Sequence, residues 1–439
     1  MSIDLRAMND LLLAQRPVPV SYSVIASIFF GVGVSLVMAE AMFFEYFQAM
    51  ANSSFTTRHV IGFHLFPSEI WFIFLGNLLL FLTIANRNFE FPTYLVIESR
   101  PVFLVLGVYS LWFVYGSLAG NSWALQEFRE MVFTALSLPP ILYFASLLSA
   151  RSVFEKFVLP GSLLLLVLSV FDTPNTALIV STFFVSYLTL TLLYKNAWAI
   201  VGLGLVSLPF LLKFAKPMIV LFAFCVTASF LLAGYLNPKS VNWILSRFKM
   251  RIVFIALSIF LGLLAVVAII NAWSGGAIEE IIRFYFLKER LTAAGQTVYA
   301  DVSGGRFAIW RSALEAWTQR PFVGFGLGSE VEAYSTGWVT KVQFHSYVIQ
   351  ALHHTGLIGL LLIAGGWLTW LLRTTRKVFA VRDVNEKIVL GAMLVYVFGI
   401  FFYGLYGHSL SYPPSAQFFW LCVGFLCVLR RPVKYRVQS

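Results

Sequence analysis

The sequence predicts an all-α polytopic membrane protein with about twelve transmembrane helices and one long extramembrane loop. Of its 439 residues, 59% are hydrophobic and only 12% are charged, and the mean hydropathy is +0.82. Soluble domains carry about 25% charged residues. Apolar stretches recur from residue 21 to residue 430, and each crossing of the membrane needs roughly 20 apolar residues. A soluble fold cannot bury so many such stretches.

The apolar stretches divide the chain into three parts. The predicted spans are 21–43, 67–85, 102–118, 131–149, 156–171, 176–194, 197–212, 217–236, 251–272, 346–372, 387–407 and 414–430. The fifth and seventh are short, so the count is about ten to twelve. Residues 1–272 then hold about nine spans, residues 273–345 form the loop, and residues 346–439 hold about three spans and a C-terminal tail.

The distribution of basic residues predicts the orientation. If both termini are cytoplasmic, most of the 31 Lys and Arg residues fall in cytoplasmic turns, as the positive-inside rule requires. This sorting accounts for the net charge of +11 without a nucleic-acid partner. The three cysteines, Cys225, Cys422 and Cys427, all lie in apolar runs, so neither a disulfide nor a metal role is expected.

The loop 273–345 is placed outside by this topology and contains two recognisable segments. Residues 304–320 predict an amphipathic helix, whose apolar residues at helical spacing are Phe307, Trp310, Leu314 and Trp317. Pro321 ends it, and Gly324, Gly326 and Gly328 follow, alternating with apolar residues. Without the lysine of a phosphate-binding loop, this glycine pattern favours a tight, close-packed turn.

Basic residues on the outer face need an explanation, because charges near hydrocarbon are costly unless they are paired or functional. Arg129 lies at the mouth of the fourth span, and Lys213 and Lys216 lie in a very short external turn. Two interpretations stay open for them. They bind the phosphates of a lipid-linked diphosphate, or they extend to lipid headgroups. The basic and acidic residues of the loop 273–345 balance, as in an ordinary solvated loop.

His345 stands where the polar loop becomes a membrane helix, and Ser346 after it is a plausible N-cap. The dipole at a helix N-terminus disfavours imidazolium, so a neutral His345 could take a proton from a hydroxyl. An interfacial histidine without a role is the other interpretation. His353 and His354 lie about two turns further along the helix, too far from His345 to share a metal ion, so no metal site is expected.

Two blocks within residues 303–366 resemble the O-antigen ligase and polymerase family of bacterial polysaccharide assembly. The first, SGGRFAIWRSALEAWTQRPFVGFGLGSE, is similar to a family stretch that precedes the catalytic histidine. In the second, His345 and Ser346 are followed by nine residues and then by Gly356 and Gly359, the spacing of the ligase pattern. The order of the two blocks, after a long external loop and before a membrane helix, also suits the family.

The resemblance implies a metal-independent, GT-C-like membrane glycosyltransferase without a cofactor. Its donor would be a glycan on undecaprenyl diphosphate. The acceptor hydroxyl would belong to lipid A core in a ligase, or to a growing lipid-linked glycan in a polymerase. The protein would lie in the bacterial inner membrane among membrane lipids, with its active site in the periplasm.

The resemblance also assigns roles to residues. His345 would be the base. The diphosphate would be held by a set of basic residues: Arg129, Arg283, Arg306, Arg311 and Lys216. Near Lys216 the family often has an arginine where this chain reads KPM. The spacing favours a ligase, with a polymerase as the alternative. A lipid-linked glycan transporter or flippase is a further alternative, although few charges lie within the spans and no repeat is evident.

Overall fold

The structure is a computed structural model of the whole chain. The residues it describes are 20–43, 65–85, 93–169, 175–194, 199, 202–204, 207, 216–236, 289–291, 297–299, 306–335, 338–341, 344, 346–405, 407, 410 and 412–429. His345, Arg283 and the predicted span 251–272 lie outside these residues, as does most of the predicted span 197–212.

The described chain is predominantly helical, and we number its elements in chain order. The helices are α1 (Val20–Met42), α2 (Pro67–Ala85, with a π-helical part at Ile70–Leu75), α3 (Thr93–Leu118), α4 (Ala124–Phe128), α5 (Leu138–Leu147), α6 (Ala150–Val153), α7 (Leu159–Ser169), α8 (Asn175–Tyr194), α9 (Lys216–Leu236), α10 (Arg306–Trp317), α11 (Tyr347–Ala380), α12 (Val384–Tyr403) and α13 (Pro413–Val428). Helical turns at Arg129–Phe133 and Thr134–Ser137 join α4 to α5, and Phe154–Val158 joins α6 to α7.

Six of these helices are long and apolar enough to cross a membrane, counting only the described residues. They are Tyr22–Met42, Pro67–Ala85, Leu95–Leu118, Ala177–Tyr194, Tyr347–Ala380 and Val384–Tyr403. Two further helices, Thr134–Leu147 and Ala150–Ser162, follow each other with a bend of 106° between them. If this bent pair forms one span, the number of candidate spans is seven. The expected multi-pass helical membrane protein is therefore confirmed, whereas the count of about twelve stays a prediction.

The chain divides into two compact units. The first comprises residues 1–236, 320–329 and 345–439, and the second comprises residues 237–319 and 330–344. The first unit thus includes the membrane helices described above. It also includes residues 320–329, which we call the glycine turn. This turn is the feature that positions the site.

The core of the first unit is built from apolar helices that pack on several sides. Helix α8 packs against α9 and α12, α3 packs against α11, and α5 packs against α13. Residues Pro413 to Cys427 of α13 are all buried, which explains why this helix is apolar on every face. Phe29 of α1 is typical of the aromatic packing: its ring centre lies 5.3 Å from that of Phe72 and 4.6 Å from that of Phe144.

The second unit contains α10 and four short strands that the sequence did not predict. They are β1 (Glu289–Leu291), β2 (Thr297–Tyr299), β3 (Glu332–Ser335) and β4 (Trp338–Lys341). They pair as two antiparallel hairpins, with Glu289 opposite Tyr299 and Glu332 opposite Lys341. Helix α10 packs against β3, so the described residues of this unit include a folded part.

Helix α10 confirms the predicted amphipathic helix but corrects its buried face. Ile309 and Ala313 are 4% and 1% exposed, whereas Leu314, which the spacing placed on the apolar face, is 39% exposed. The helix carries apolar residues on two sides, and the side with the smaller Ala313 is the one that becomes buried. The Trp310 indole N–H donates to the carbonyl of Phe344 at 2.7 Å.

Candidate active site

The entrance of helix α11 is fixed by an N-cap and by two bonds to a distant turn. Ser346 is the N-cap, as predicted, and its hydroxyl accepts from the Ile349 N–H at 3.5 Å. The Tyr347 N–H donates to the Gly404 carbonyl at 2.7 Å, and the Tyr347 hydroxyl accepts from the Leu410 N–H at 2.6 Å. His345 immediately precedes this fixed point in the chain, although its own placement lies outside the described residues.

Helix α11 is broken at Gly356, where the sequence predicted one continuous span. The backbone there has φ 64° and ψ −170°, a conformation essentially reserved for glycine. Residues 347–355, which we call the short half, are therefore separate from residues 357–380, the long half. A break leaves carbonyls unpaired at the end of one half and N–H groups unpaired at the start of the other.

The glycine turn supplies the missing partners of the break through residues 321–326. The N–H groups of Phe325 and Gly326 donate to the carbonyls of His353 and His354, at 3.0 and 2.9 Å. In the opposite direction, the first two N–H groups of the long half, those of residues 357 and 358, donate to the carbonyls of residues 321 and 322, at 2.9 and 3.1 Å. Because an unpaired backbone group costs several kcal/mol in hydrocarbon, the turn and the break require each other.

The three glycines of this turn confirm the predicted tight, close-packed conformation. Gly324, Gly326 and Gly328 have φ values of 66°, 85° and 73°. A Cβ on Gly324 would lie 2.5 Å from the His354 carbonyl oxygen, and one on Gly326 would lie 2.5 Å from the Gly116 Cα. Glycine is therefore needed both for its backbone conformation and for the close approach.

Two side chains hold the glycine turn on the side opposite α11: Trp112 of helix α3 and Asn121, which follows the end of α3. The Trp112 indole N–H donates to the Val323 carbonyl at 2.7 Å. The Asn121 amide donates to the carbonyls of Phe325 and Leu327 at 3.0 and 2.9 Å. The turn is thus sandwiched between α3 and the break in α11, and its backbone polar groups are paired on both sides.

A carboxylate and two histidines meet beside the turn. Glu127 Oε2 lies 2.8 Å from His354 Nδ1, which forms an ion-pair contact and not a linear hydrogen bond. The same oxygen accepts from the Gly328 N–H at 3.1 Å. His354 Nε2 lies 3.2 Å from the Ser329 carbonyl, and the Ser329 hydroxyl lies 3.2 Å from His353 Nδ1. His354 is 1% and Glu127 15% exposed.

Sequence reasoning missed both Glu127 and the break at Gly356. Nothing local marks the contact between Glu127 and His354, because the two residues are 227 positions apart along the chain. The only available signal was that Glu127 lies in the same polar turn as Arg129. Among the residues that the structure describes, no group of three or more His, Cys, Asp or Glu could hold a metal ion.

The predicted basic residues are found in different settings. Arg129 pairs with Glu69, its Nη2 lying 3.1 and 3.0 Å from the two carboxylate oxygens, and Arg129 is 11% exposed. Arg311 is exposed and pairs with Glu315 at 2.8 Å, a hydrogen bond that raises the pKa of Arg311. Lys216 and Arg306 are the first residues of α9 and α10. Their side chains, and the whole of Arg283, lie outside the part of the chain that the structure describes.

An apolar cavity of about 230 Å³ opens in the first unit next to the entrance of α11. Its walls come from α3, α11, α12 and α13 and include Tyr109, Tyr347, Trp367, Phe401 and Trp420. Tyr347 belongs to both the cavity wall and the fixed entrance of α11. An apolar, aromatic-lined cavity of this kind accepts hydrocarbon.

Comparison with known proteins identifies the part of the chain that contains these features. The sequence model of the O-antigen ligase family matches residues 217–364. A search of curated proteins gives no match. The matched stretch includes the glycine turn, the entrance of α11 and the break at Gly356. Residues 217–364 of this chain are therefore similar to the O-antigen ligase family, which supports the resemblance seen in the sequence.

Proposed function

We propose that this protein transfers a glycan from undecaprenyl diphosphate to an acceptor hydroxyl, with O-antigen ligation to lipid A core as its reaction. The family match over residues 217–364 carries the proposal, since members of this family are membrane enzymes of surface polysaccharide assembly. The spacing of His345, Ser346, Gly356 and Gly359, which resembles the ligase pattern, favours ligation. Joining of lipid-linked repeat units, the polymerase reaction, is the alternative outcome of the test below.

The proposed mechanism uses His345 as the base. Its imidazole takes the proton of the acceptor hydroxyl as the hydroxyl oxygen attacks the anomeric carbon. The bond from that carbon to the diphosphate oxygen breaks, and the diphosphate leaves with the electron pair. General base catalysis of this kind contributes about 10²–10⁴-fold. The observed N-cap at Ser346 supports this role, because the N-terminus of a helix favours a neutral imidazole and His345 is the preceding residue in the chain.

Basic groups would stabilise the charge that develops on the leaving diphosphate. Arg129, Arg283, Arg306, Arg311 and Lys216 are the proposed set. The pairing of Arg129 with the buried Glu69 holds its guanidinium in one orientation, which favours planar recognition of phosphate oxygens. The apolar cavity beside Tyr347 would take hydrocarbon from the lipid-linked donor.

Replacing His345 by alanine should abolish glycan transfer, because the reaction then lacks its base. Transfer is measured in cells by gel electrophoresis of surface polysaccharide, and in vitro with purified lipid-linked glycan. Loss of attachment of intact polymer to lipid A core indicates ligation, whereas loss of the polymer itself indicates polymerisation. His64→Ala is the matched control, since this histidine belongs to no motif, and it should keep full activity.

Full transfer by the His345→Ala protein would contradict the proposal. So would movement of lipid-linked glycan across liposomes without any transfer, which is the expectation for a flippase. Both variants must insert normally, and this is checked by the amount of protein in the membrane fraction.

We also propose the GT-C-like arrangement of about twelve spans in the inner membrane, with the loop 273–345 in the periplasm and both termini cytoplasmic. A membrane-impermeant maleimide, applied to cells with a permeabilised outer membrane, should label Gln319→Cys and leave Arg376→Cys unlabelled. Both positions are exposed, and the three native cysteines are buried, so the background is low. Labelling in the reverse pattern would invert the orientation.

A further inference from the structure

The short half of α11 has contacts of its own in addition to the glycine turn, which it shares with the long half. No regular helical backbone crosses Gly356, so the direction of residues 347–355 is not set by the membrane helix that follows. At its entrance the short half is fixed by the two bonds of Tyr347 to the turn at 404–410. Its other end is bound by the glycine turn through the carbonyls of His353 and His354, and the side chain of His354 adds further contacts.

That other end is fixed through His354. The imidazole of His354 is 1% exposed, and its two nitrogens contact two different segments of the chain. Nε2 faces the Ser329 carbonyl at 3.2 Å, and a carbonyl only accepts, so Nε2 carries a proton. Nδ1 then faces the carboxylate of Glu127 at 2.8 Å. The carboxylate and the imidazole of His354 therefore lie within ion-pair distance of each other.

One oxygen of Glu127 serves two partners. Oε2 contacts His354 Nδ1 and also accepts from the Gly328 N–H at 3.1 Å. A carboxylate can do both because its oxygens only accept. A glutamine is a poorer partner, because it has no negative charge to attract His354 and because its NH₂ group cannot accept from the Gly328 N–H.

We propose that Glu127 is a positioning residue, which acts through His354 to hold the short half of α11 and thereby the base His345 at its entrance. Glu127 connects helix α4 to the glycine turn and to the short half. The inference rests on the proposed role of His345. We assign Glu127 no part in the chemistry itself, because its hydrogen-bond and ion-pair contacts among the described residues are to Gly328 and His354.

Replacing Glu127 by glutamine should lower kcat for glycan transfer by about 10- to 100-fold, because small displacements of a catalytic group have effects of this size. The KM for the lipid-linked donor should stay unchanged, since donor binding does not involve Glu127. In a His354→Asn background, Glu127→Gln should cost much less than in the wild type, because the contact is already lost and the two effects do not add.

Glu98→Gln is the matched control. Glu98 pairs with Lys377 on the long half of the same helix at 2.6 Å, and the two side chains are 15% and 4% exposed, close to the values for Glu127 and His354. This variant should lose thermal stability to a similar degree while keeping its kcat. It separates positioning of the short half from general loss of a buried ion pair.

Each outcome has one meaning. An inactive His345→Ala protein together with a fully active Glu127→Gln protein would overturn the positioning role and leave the proposed function intact. An equal fall of kcat in Glu98→Gln and Glu127→Gln would also overturn it, since the loss would then follow stability alone. Full activity of His345→Ala would instead overturn the proposed function.

Discussion

Gly356→Ala should destabilise the protein by about 2–4 kcal/mol, since a strained backbone conformation costs about 1–3 kcal/mol and a steric clash adds to it. The backbone at Gly356 has φ 64°, where an L side chain is strained. The new Cβ would also run into the carbonyl group of Phe322, one of the acceptors that pair with the long half. Thermal unfolding in detergent measures the loss, and glycan transfer should fall with it because the short half moves.

Gly365→Ala gives the matched control for this prediction. Gly365 lies in the long half of the same helix, and a Cβ there meets nothing within 4 Å. Alanine in a regular helix is favoured over glycine by about 0.5–1 kcal/mol, so this variant should be neutral or slightly more stable. If the two alanine variants unfolded at the same temperature, α11 would have to be continuous through residue 356.

Arg129→Met should destabilise the protein by about 3–5 kcal/mol, because removing one partner of a buried ion pair leaves the other charge uncompensated. The remaining partner, Glu69, is fully buried. Its carboxylate also accepts from the Phe66 N–H at 2.9 Å, so it cannot turn towards solvent without losing that bond. Thermal unfolding in detergent again provides the measurement.

A second change separates stability from substrate binding. Adding Glu69→Gln to Arg129→Met removes the uncompensated charge and keeps an oxygen for the Phe66 N–H, so stability should largely recover. Transfer should not recover, because Arg129 is proposed to bind the diphosphate. Recovery of both would assign Arg129 to stability alone. Arg311→Met is the surface comparison: its partner Glu315 is exposed as well, and such pairs contribute little, so the unfolding temperature should not change.

The sequence was a good guide to the helices and a poor guide to their breaks. Apolar runs such as that of α1 leave few alternatives to a membrane helix, and the amphipathic spacing around Trp310 located α10. The apolar run after His354 continues through Gly356 without a charge or a proline, so nothing local marks the break there. The reason for the break is the glycine turn, which lies about 30 residues earlier in the chain.

For the candidate site, the sequence likewise predicted the local features and missed the contacts between distant segments. The N-cap at Ser346 and the close-packed glycine turn follow from local rules, since each depends on neighbouring residues. The contact of Glu127 with His354 depends on the packing of distant segments, which no spacing along the chain reveals. The same is true of the pair formed by Arg129 and Glu69: each looks like an unpaired charge in the sequence, and each compensates the other in the fold.

The pairing between the glycine turn and the broken helix also bears on how this sequence can diverge. Four backbone hydrogen bonds join residues 321–326 to residues 353–358, and neither segment has its partners without the other. An insertion or deletion in one of them shifts the register of all four bonds at once. The two segments should therefore keep their lengths and be inherited together.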